Sequence, residues 1–358
     1  MAHPSPVPSP PAVPRSTRSR HDPLPRQHHK RQPAPIVDTA TTARHRHARH
    51  RVNPNTPFPE PEHPPTEPRH TETHNDKPHE GSTRDHSANR HPQQRRHHAA
   101  TRPGVWRVPD ADATHAVATA LTNGYRSIDT AAMYQNESGV GRAIADAGID
   151  RGDLFITTKL KNDDQGYDNT LRAFDESLSK LGLDYVDLYL IHWPTPAHDL
   201  YPETWKAFER IYADGRAKSI GVSNFHIAHL ERLANESDIK PVLNQVELHP
   251  HFPQTALRAY HAEHGIATEA WSPLGQGGEL LSEPVIAEIG EKLGKTPAQV
   301  VLRWHLQQGT IVIPKSVTPS RIAENIAVFD FELTDDQITA INGLETGKRL
   351  GPDPDDVN

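Results

Sequence analysis

S-I-D-T-A-A-M-Y, residues 127–134, is a short apolar run that ends in an acid, a small-residue loop and a phenol. T-K-L (158–160) and L-I-H-W (190–193) close two further β-rich runs, on a lysine and a histidine. Asp129, Tyr134, Lys159 and His192 are therefore expected at or just past the C-terminal ends of three successive strands. Outward from these, β-rich segments are predicted at 127–131, 154–160, 186–193, 219–225, 242–248, 267–273 and 311–316. Most are apolar on both sides, as parallel strands covered on both faces are. The stretches 112–122, 137–147, 169–181, 203–213, 226–235, 254–263, 284–293, 297–308 and 319–327 place apolar residues at helical spacing. Asp112, Asn136 and Pro297 after Thr296 read as helix starts. Gly148, Gly182, Gly265 and Gly309 suit helix exits. An eighth strand falls to G-V-W-R-V (104–108). Alternating β and α elements in roughly 255 residues predict a (β/α)8 TIM barrel with a truncated first strand. No G-x-G-x-x-G follows a strand, which weighs against a Rossmann domain.

Two unlike parts make up the chain. Residues 1–103 hold fifteen of the 25 His and twenty of the 34 Pro, with 17 Lys+Arg against 9 Asp+Glu, a net of +8. Residues 104–358 carry 22 against 37, a net of −15, which recovers the total of −7. The first part has few apolar residues and no period, so it cannot offset the entropy of ordering and is expected to be disordered. Its His28–His29 and His97–His98 pairs suggest metal, and R-H-R-H-A-R-H-R (44–51) suggests nucleic acid. No ligand spacing recurs and no aromatics interleave the basic residues, so neither partner is expected. The abrupt change near Arg102–Gly104 is equally what a wrong upstream start or a shifted frame would produce. With no cysteine, thiolate catalysis and disulfides are excluded and a reducing cytoplasm is suited. No apolar run reaches membrane-span length and no secretory leader is visible.

In a (β/α)8 barrel the chemistry sits at the C-terminal strand ends, where neighbouring strands are ~4.8 Å apart. A free phenol is a poor acid or base at neutral pH, and an adjacent ammonium is expected to move the Tyr134 pKa down toward the working range. Asp129 would hold Lys159 charged, and His192 could orient a carbonyl oxygen or relay a proton. Such a cluster can protonate an alkoxide as hydride reaches carbon, and the hydride must come from a cofactor. Each residue taken singly has a structural explanation; their joint placement favours catalysis.

The chain resembles the aldo-keto reductase family. The matching strings are residues 124–144, T-T-K-L, D-Y-V-D-L-Y-L-I-H-W-P (184–194), G-V-S-N-F (221–225), N-Q-V-E-L-H-P (244–250), W-S-P-L-G-Q-G (271–277) and I-P-K-S-V-T-P-S-R-I-A-E-N (313–325). The tryptophan at 271 looks most like the bacterial 2,5-diketo-D-gluconate reductases. This resemblance implies NADPH-dependent reduction of aldehydes and ketones, dicarbonyl or sugar-derived, by a cytoplasmic monomer. It implies a catalytic set of Asp129, Tyr134, Lys159 and His192, with Tyr134 the proton donor. Ser223, Asn224 and Gln245 match residues that hold the nicotinamide carboxamide, and Trp271 the aromatic that stacks on its ring. Ser272, Leu274, Gly275 and Gln276 follow the pyrophosphate. Lys315, Ser316, Val317, Arg321, Glu324 and Asn325 match the adenosine end, where two cations and a hydroxyl near a helix start favour NADP(H) over NAD. Trp106, Trp193, Phe225 and the C-terminal tail are expected to line the substrate pocket. No metal is expected at His249 and His251.

One departure from the family stands out. Its members begin with a hairpin and a strand usually reading P-x-L-G-x-G-x-W, whereas here Gly104-Val105-Trp106 follows A-A-T-R-P. Arg102 is an unexpected guest at an apolar strand position, and Pro103 lacks a backbone donor. The alternatives to an active reductase are a cofactor-binding barrel without catalysis and a reductase destabilised by its incomplete first strand.

Overall fold

A computed structural model describes residues 100–358. The expectations for the His/Pro/Arg-rich segment lie outside these residues except at 100–103, where the expected disorder is contradicted: Thr101, Arg102 and Pro103 are buried at the barrel seam. Among the described residues seven strands are present: β1 Ser127–Asp129, β2 Phe155–Leu160, β3 Leu188–Ile191, β4 Ile220–Ser223, β5 Leu243–Glu247, β6 Ala267–Trp271 and β7 Ile311–Val312. They pair in chain order and all in parallel, with ten α-helices before, between and after them among the described residues. These are α1 Asp110–Thr122, α2 Glu137–Asp146, α3 Tyr167–Leu181, α4 Tyr201–Ala213, α5 Ile227–Glu236, α6 Thr255–His264, α7 Pro284–Leu293, α8 Pro297–Gln307, α9 Pro319–Ile326 and α10 Asp335–Asn342. Among the described residues no helix is long and apolar enough to cross a membrane.

Strand alternation sorts the barrel's two surfaces. On β3, Tyr189 and Ile191 join the large cluster under the helices, with Phe174, Phe208 and Trp205. Leu188 and Leu190 instead form a separate small cluster with Leu243, backed by Phe155 and Ile311. Further along the same inward faces stand Lys159 on β2 and Gln245 on β5. The interior is thus apolar at the start of the strands and polar at their C-terminal ends.

The barrel closes differently from expectation. G-V-W-R-V forms no strand; Val108 N donates to Val105 O across a turn (3.1 Å) with Arg107 at φ 55°. Closure falls instead to residues 101–104, where Thr101 bridges Val312 and Gly104 bridges both Asp129 and Lys315. Arg102 N donates to Val312 O (2.9 Å) and Asp129 N donates to Pro103 O (3.2 Å). Pro103 therefore serves as an acceptor only, which its missing N–H permits. A Cβ on Gly104 would stand 3.3 Å from Ile313 O, so a side chain would crowd this seam.

Two helix starts also differ. Asn136 makes no cap bond on α2; its Nδ2 donates to Val105 O and Val108 O, 2.9 Å each, and its Oδ1 accepts from Thr130 Oγ1 (2.7 Å). Asp112 lies inside α1, whose N-cap is Pro109. Thr296 caps α8 as expected, in a reciprocal pair with Gln299. α10 was missed, although Thr334 and Gln337 spell the same capping pair.

Candidate active site

β1, β2 and β3 deliver their last inward residues to one point. Lys159 Nζ donates to Asp129 Oδ1 (2.6 Å), to Thr130 O (2.9 Å) and, more loosely, to Tyr134 Oη (3.4 Å). Lys159 and Asp129 are buried, 0% and 1% exposed, so their ion pair is shielded from solvent. Tyr134 ends a 3-10 turn after β1, and its ring meets His192 edge-on with centroids 5.7 Å apart. The four residues expected at the strand ends thus stand together.

Electrostatics at the cluster correct one expectation. Burial raises the Tyr134 pKa; Lys159 pulls it down and Asp129 pushes it up, and the balance lies above the ordinary tyrosine value. The neighbouring ammonium therefore does not bring the phenol into the neutral range, and Tyr134 stays protonated, as a proton donor must. Burial disfavours the Lys159 ammonium, but Asp129 and Tyr134 outweigh it and its pKa is raised. Burial, helped by Lys159, drops His192 well below the usual histidine range, so its ring is neutral at pH 7. Its Nδ1 is buried without a hydrogen-bond partner.

Asp129, Tyr134 and His192 line a cavity of about 980 Å³, room enough for a dinucleotide and a small substrate together, with Lys159 just behind them. Ser223, Asn224, Gln245 and Trp271 form its middle wall. Asn224, at φ 64°, donates through Nδ2 to His192 O (2.9 Å) and accepts from Trp271 Nε1 (2.7 Å), which fixes the indole in place. Asparagine is among the few residues that take this left-handed backbone readily. Ser272, Leu274 and Gln276 continue the wall to Lys315, Ser316, Arg321, Glu324 and Asn325 at the far end. Among the described residues neither Lys315 nor Arg321 has an ion-pair partner, so both cations remain available to a phosphate. This donor set fits a phosphorylated dinucleotide.

Three of the expected residues do not line the cavity. Phe225 is fully buried against Tyr201 and His229 in the helix-side core, so it does not reach the cavity. Val317 points outward at 46% exposure, because the loop turns at Ser316. Gly275, at φ 58°, packs on Leu280 behind the wall. Trp106 and Trp193 do line the cavity, as do Leu350, Gly351 and Pro352 of the tail.

Sequence reading missed the residues that support this site. Glu247 receives the amides of Leu350 (2.5 Å) and Gly351 (2.8 Å) and a bond from His249 (3.0 Å). Burial opposes the Glu247 charge, yet His249 and the two amides hold its pKa below the usual carboxylate value. Gln245 Nε2 donates to Asp129 Oδ2 (2.8 Å) and also to Glu269 Oε2 (2.9 Å), a fully buried carboxylate on β6. An acid inside the strand A-T-E-A-W was the available signal. The tail also docks on the start of α5 through His226–Asp353 (2.9 Å) and His229–Asp355 (3.3 Å).

Comparison with known proteins follows the same line. The Aldo/keto reductase family matches residues 98–346. An aldo-keto reductase of Mycolicibacterium smegmatis is 60% identical over 255 residues, covering 71% of this chain and 92% of that protein. Methylglyoxal reductase DkgA of Salmonella typhimurium is 56% identical over 253 residues, covering 70% and 91%. Among solved structures, a mutant of Gox0644 in complex with NADPH superposes with a TM-score of 0.70 at 50% identity, covering 72% of this chain and 94% of that one. A Bombyx mori aldo-keto reductase in complex with NADP gives 0.66 at 40% identity, covering 71% and 91%. The chain belongs to the Aldo/keto reductase family.

Proposed function

We propose that the chain reduces small aldehydes and ketones, dicarbonyl or sugar-derived, with NADPH, and that Tyr134 supplies the proton. The observation that carries this reading is the placement of Lys159 between Asp129 (2.6 Å) and the Tyr134 hydroxyl (3.4 Å), on a cavity that runs on to Lys315 and Arg321. When bound, the nicotinamide supplies hydride to the carbonyl carbon. Tyr134 Oη, protonated at neutral pH, binds the carbonyl oxygen and passes it the proton. Lys159 steadies the phenolate left behind, and Asp129 holds Lys159 in position. Neutral His192 shares the oxygen without introducing charge. Gln245 and Asn224 would hold the carboxamide, Trp271 would support the ring, and Lys315, Ser316 and Arg321 would hold a 2′-phosphate.

Trp106, Met133 and Trp193 give the substrate end aromatic and apolar walls, which suit compact carbonyl compounds. The catalytic domain on this reading is residues 104–358 together with the seam from Thr101 that closes the barrel, and the protein is a cytoplasmic monomer, whose mass light scattering measures. The deciding experiment follows NADPH oxidation by the full chain against a carbonyl panel that includes methylglyoxal and 2,5-diketo-D-gluconate. Absence of turnover with every member counts against the reading.

A further inference from the structure

Arg102 lies inside the barrel. It is 3% exposed, and its Nη1 sits 3.1 Å from Glu269 Oε1 and donates to Thr157 Oγ1 (3.2 Å). Its guanidinium carbon lies 4.5 Å over the Phe155 ring. Glu269 in turn shares the Gln245 amide with Asp129, and Asp129 holds Lys159. The charges run along one line with the two anions adjacent: guanidinium, carboxylate, carboxylate, ammonium.

Two buried carboxylates joined through a single NH₂ donor repel each other, and one cation cannot neutralise both. Lys159 is spent on Asp129. Arg102 supplies the second cation, and it comes from the seam that replaces the first strand. We propose that Arg102 is a positioning residue of the reductase site, neutralising Glu269 so that Asp129, Lys159 and Tyr134 keep their charge and geometry. This rests on the reductase reading above.

The groups facing Glu269 are few. Arg102 comes from the seam, Asp129 from β1, Lys159 from β2 and Tyr134 from the loop after β1. On β5, Glu247 is already occupied by His249 and the tail amides. Burial raises the Glu269 pKa, Arg102 pulls it back and Asp129 adds to the rise. Removing Arg102 leaves only the upward influences of burial and Asp129 against the weaker pull of Gln245 and Lys159. At low pH the variant's Glu269 is then protonated, and the remaining Asp129–Lys159 pair is balanced as before. At higher pH it ionises without a partner, one unit of negative charge beside Asp129 and within reach of Tyr134.

The test measures kcat against pH, with melting temperature alongside, for the full-length wild type, Arg102→Met, Arg102→Lys and Arg102→Met/Glu269→Gln. Arg102→Met should match the wild type most closely at low pH and lose kcat on a new limb, about tenfold per pH unit, as pH rises. Its melting temperature should fall over the same range. Arg102→Lys should keep the wild-type profile, and the double variant should lose the extra limb. A merely structural Arg102 lowers the melting temperature equally at every pH and leaves the shape of the kcat profile unchanged; that result, or a limb surviving in the double variant, overturns the inference. If Arg102→Met does not fold, Glu269→Gln alone decides. By removing an anion near Tyr134 it should move the limb where the phenol loses its proton to lower pH, and an unmoved limb overturns the proposal. A wild-type chain without turnover fails the reductase reading and this inference with it, whereas an active wild type with unchanged variant profiles fails the inference alone.

Discussion

Tyr134→Phe removes one oxygen and little else. That oxygen is held by a single long contact, 3.4 Å from Lys159 Nζ, while Lys159 keeps Asp129 at 2.6 Å and Thr130 O at 2.9 Å. No buried charge is orphaned, so the stability loss should stay at the low end of the ~0.5–1.5 kcal/mol typical of a hydrogen bond. The His192 ring contact, at 5.7 Å between centroids, survives because phenylalanine keeps the ring. The kinetic cost should be far larger. A positioned general acid contributes roughly 10²–10⁴ in rate, which corresponds to about 3–5 kcal/mol of barrier. The structure argues for the upper half of that range, since neutral His192 is the remaining donor and burial drives its pKa well below the usual value. Steady-state NADPH oxidation gives kcat, and quenching of protein fluorescence gives the NADPH Kd on the same samples. The expected result is a kcat reduced by about a thousandfold with NADPH Kd changed less than about threefold. A kcat within tenfold of wild type would refute the assignment of the proton to Tyr134. A large change in Kd with kcat intact would place the hydroxyl in cofactor binding instead.

Three further outcomes are expected. Arg321→Ala should weaken NADPH by roughly ten- to a hundredfold, the ~1.5–3 kcal/mol of a charge-assisted bond, and leave NADH unchanged; equal losses for both dinucleotides in parallel titrations would remove the 2′-phosphate from that end of the cavity. Acid should destabilise the fold through two buried histidines, because burial lowers His305 to about 3 and His261 to about 4. Both folded pKa values lie below the unfolded value near 6.5, so their stabilisation is complete above that pH and is lost as pH falls toward 4, by about 5 kcal/mol in total at pH 4.5. A melting temperature that is flat from pH 7 to 4.5 contradicts this. Glu247→Gln deprives the Leu350 and Gly351 amides of a charged acceptor, so KM for the carbonyl substrate should rise several-fold while NADPH Kd holds; an unchanged KM means the tail stays in place without it.

The alternation of β and α segments, and the strand ends that carry Asp129, Lys159 and His192, were legible because parallel strands covered on both faces have a strong apolar signature. The first stave was not, because its pairing lies in bridges at Thr101 and Gly104, and one of its side chains is an arginine that pattern reading rejects. Phe225 was misplaced for a different reason. An aromatic one residue beyond Asn224 reads as pocket wall, but the positive φ of Asn224 turns the chain and sends the ring into the helix layer. Asn136 looked like a helix cap, since a cap and a loop clamp demand the same short amide. The sign of the Tyr134 shift was not legible either. It depends on whether burial or the ammonium has the greater effect, and sequence carries no measure of depth.

A barrel with a stave reduced to bridges should have a loose mouth, yet the few ladder bonds left at that edge, Asp129 N to Pro103 O among them, are reinforced by side chains. Asn136 holds the carbonyls of Val105 and Val108 and takes the Thr130 hydroxyl, while the Thr130 carbonyl accepts from Lys159. On the other side, Arg102 reaches Thr157 and Glu269, and Gln245 ties Glu269 back to Asp129. The turn that follows the seam and the lysine of the site therefore share Thr130, and the seam's arginine and the site's aspartate share Gln245 through Glu269. Arg102 Nε and Glu269 Oε1 make no hydrogen bond of their own, so at that end the chain is held by the Arg102–Glu269 ion pair and the Thr157 and Gln245 bonds. The seam departs furthest from an ordinary strand, and through Arg102 it still reaches the carboxylate that shares Gln245 with Asp129, so residues 101–104 are joined to the candidate site as well as to the wall of the barrel.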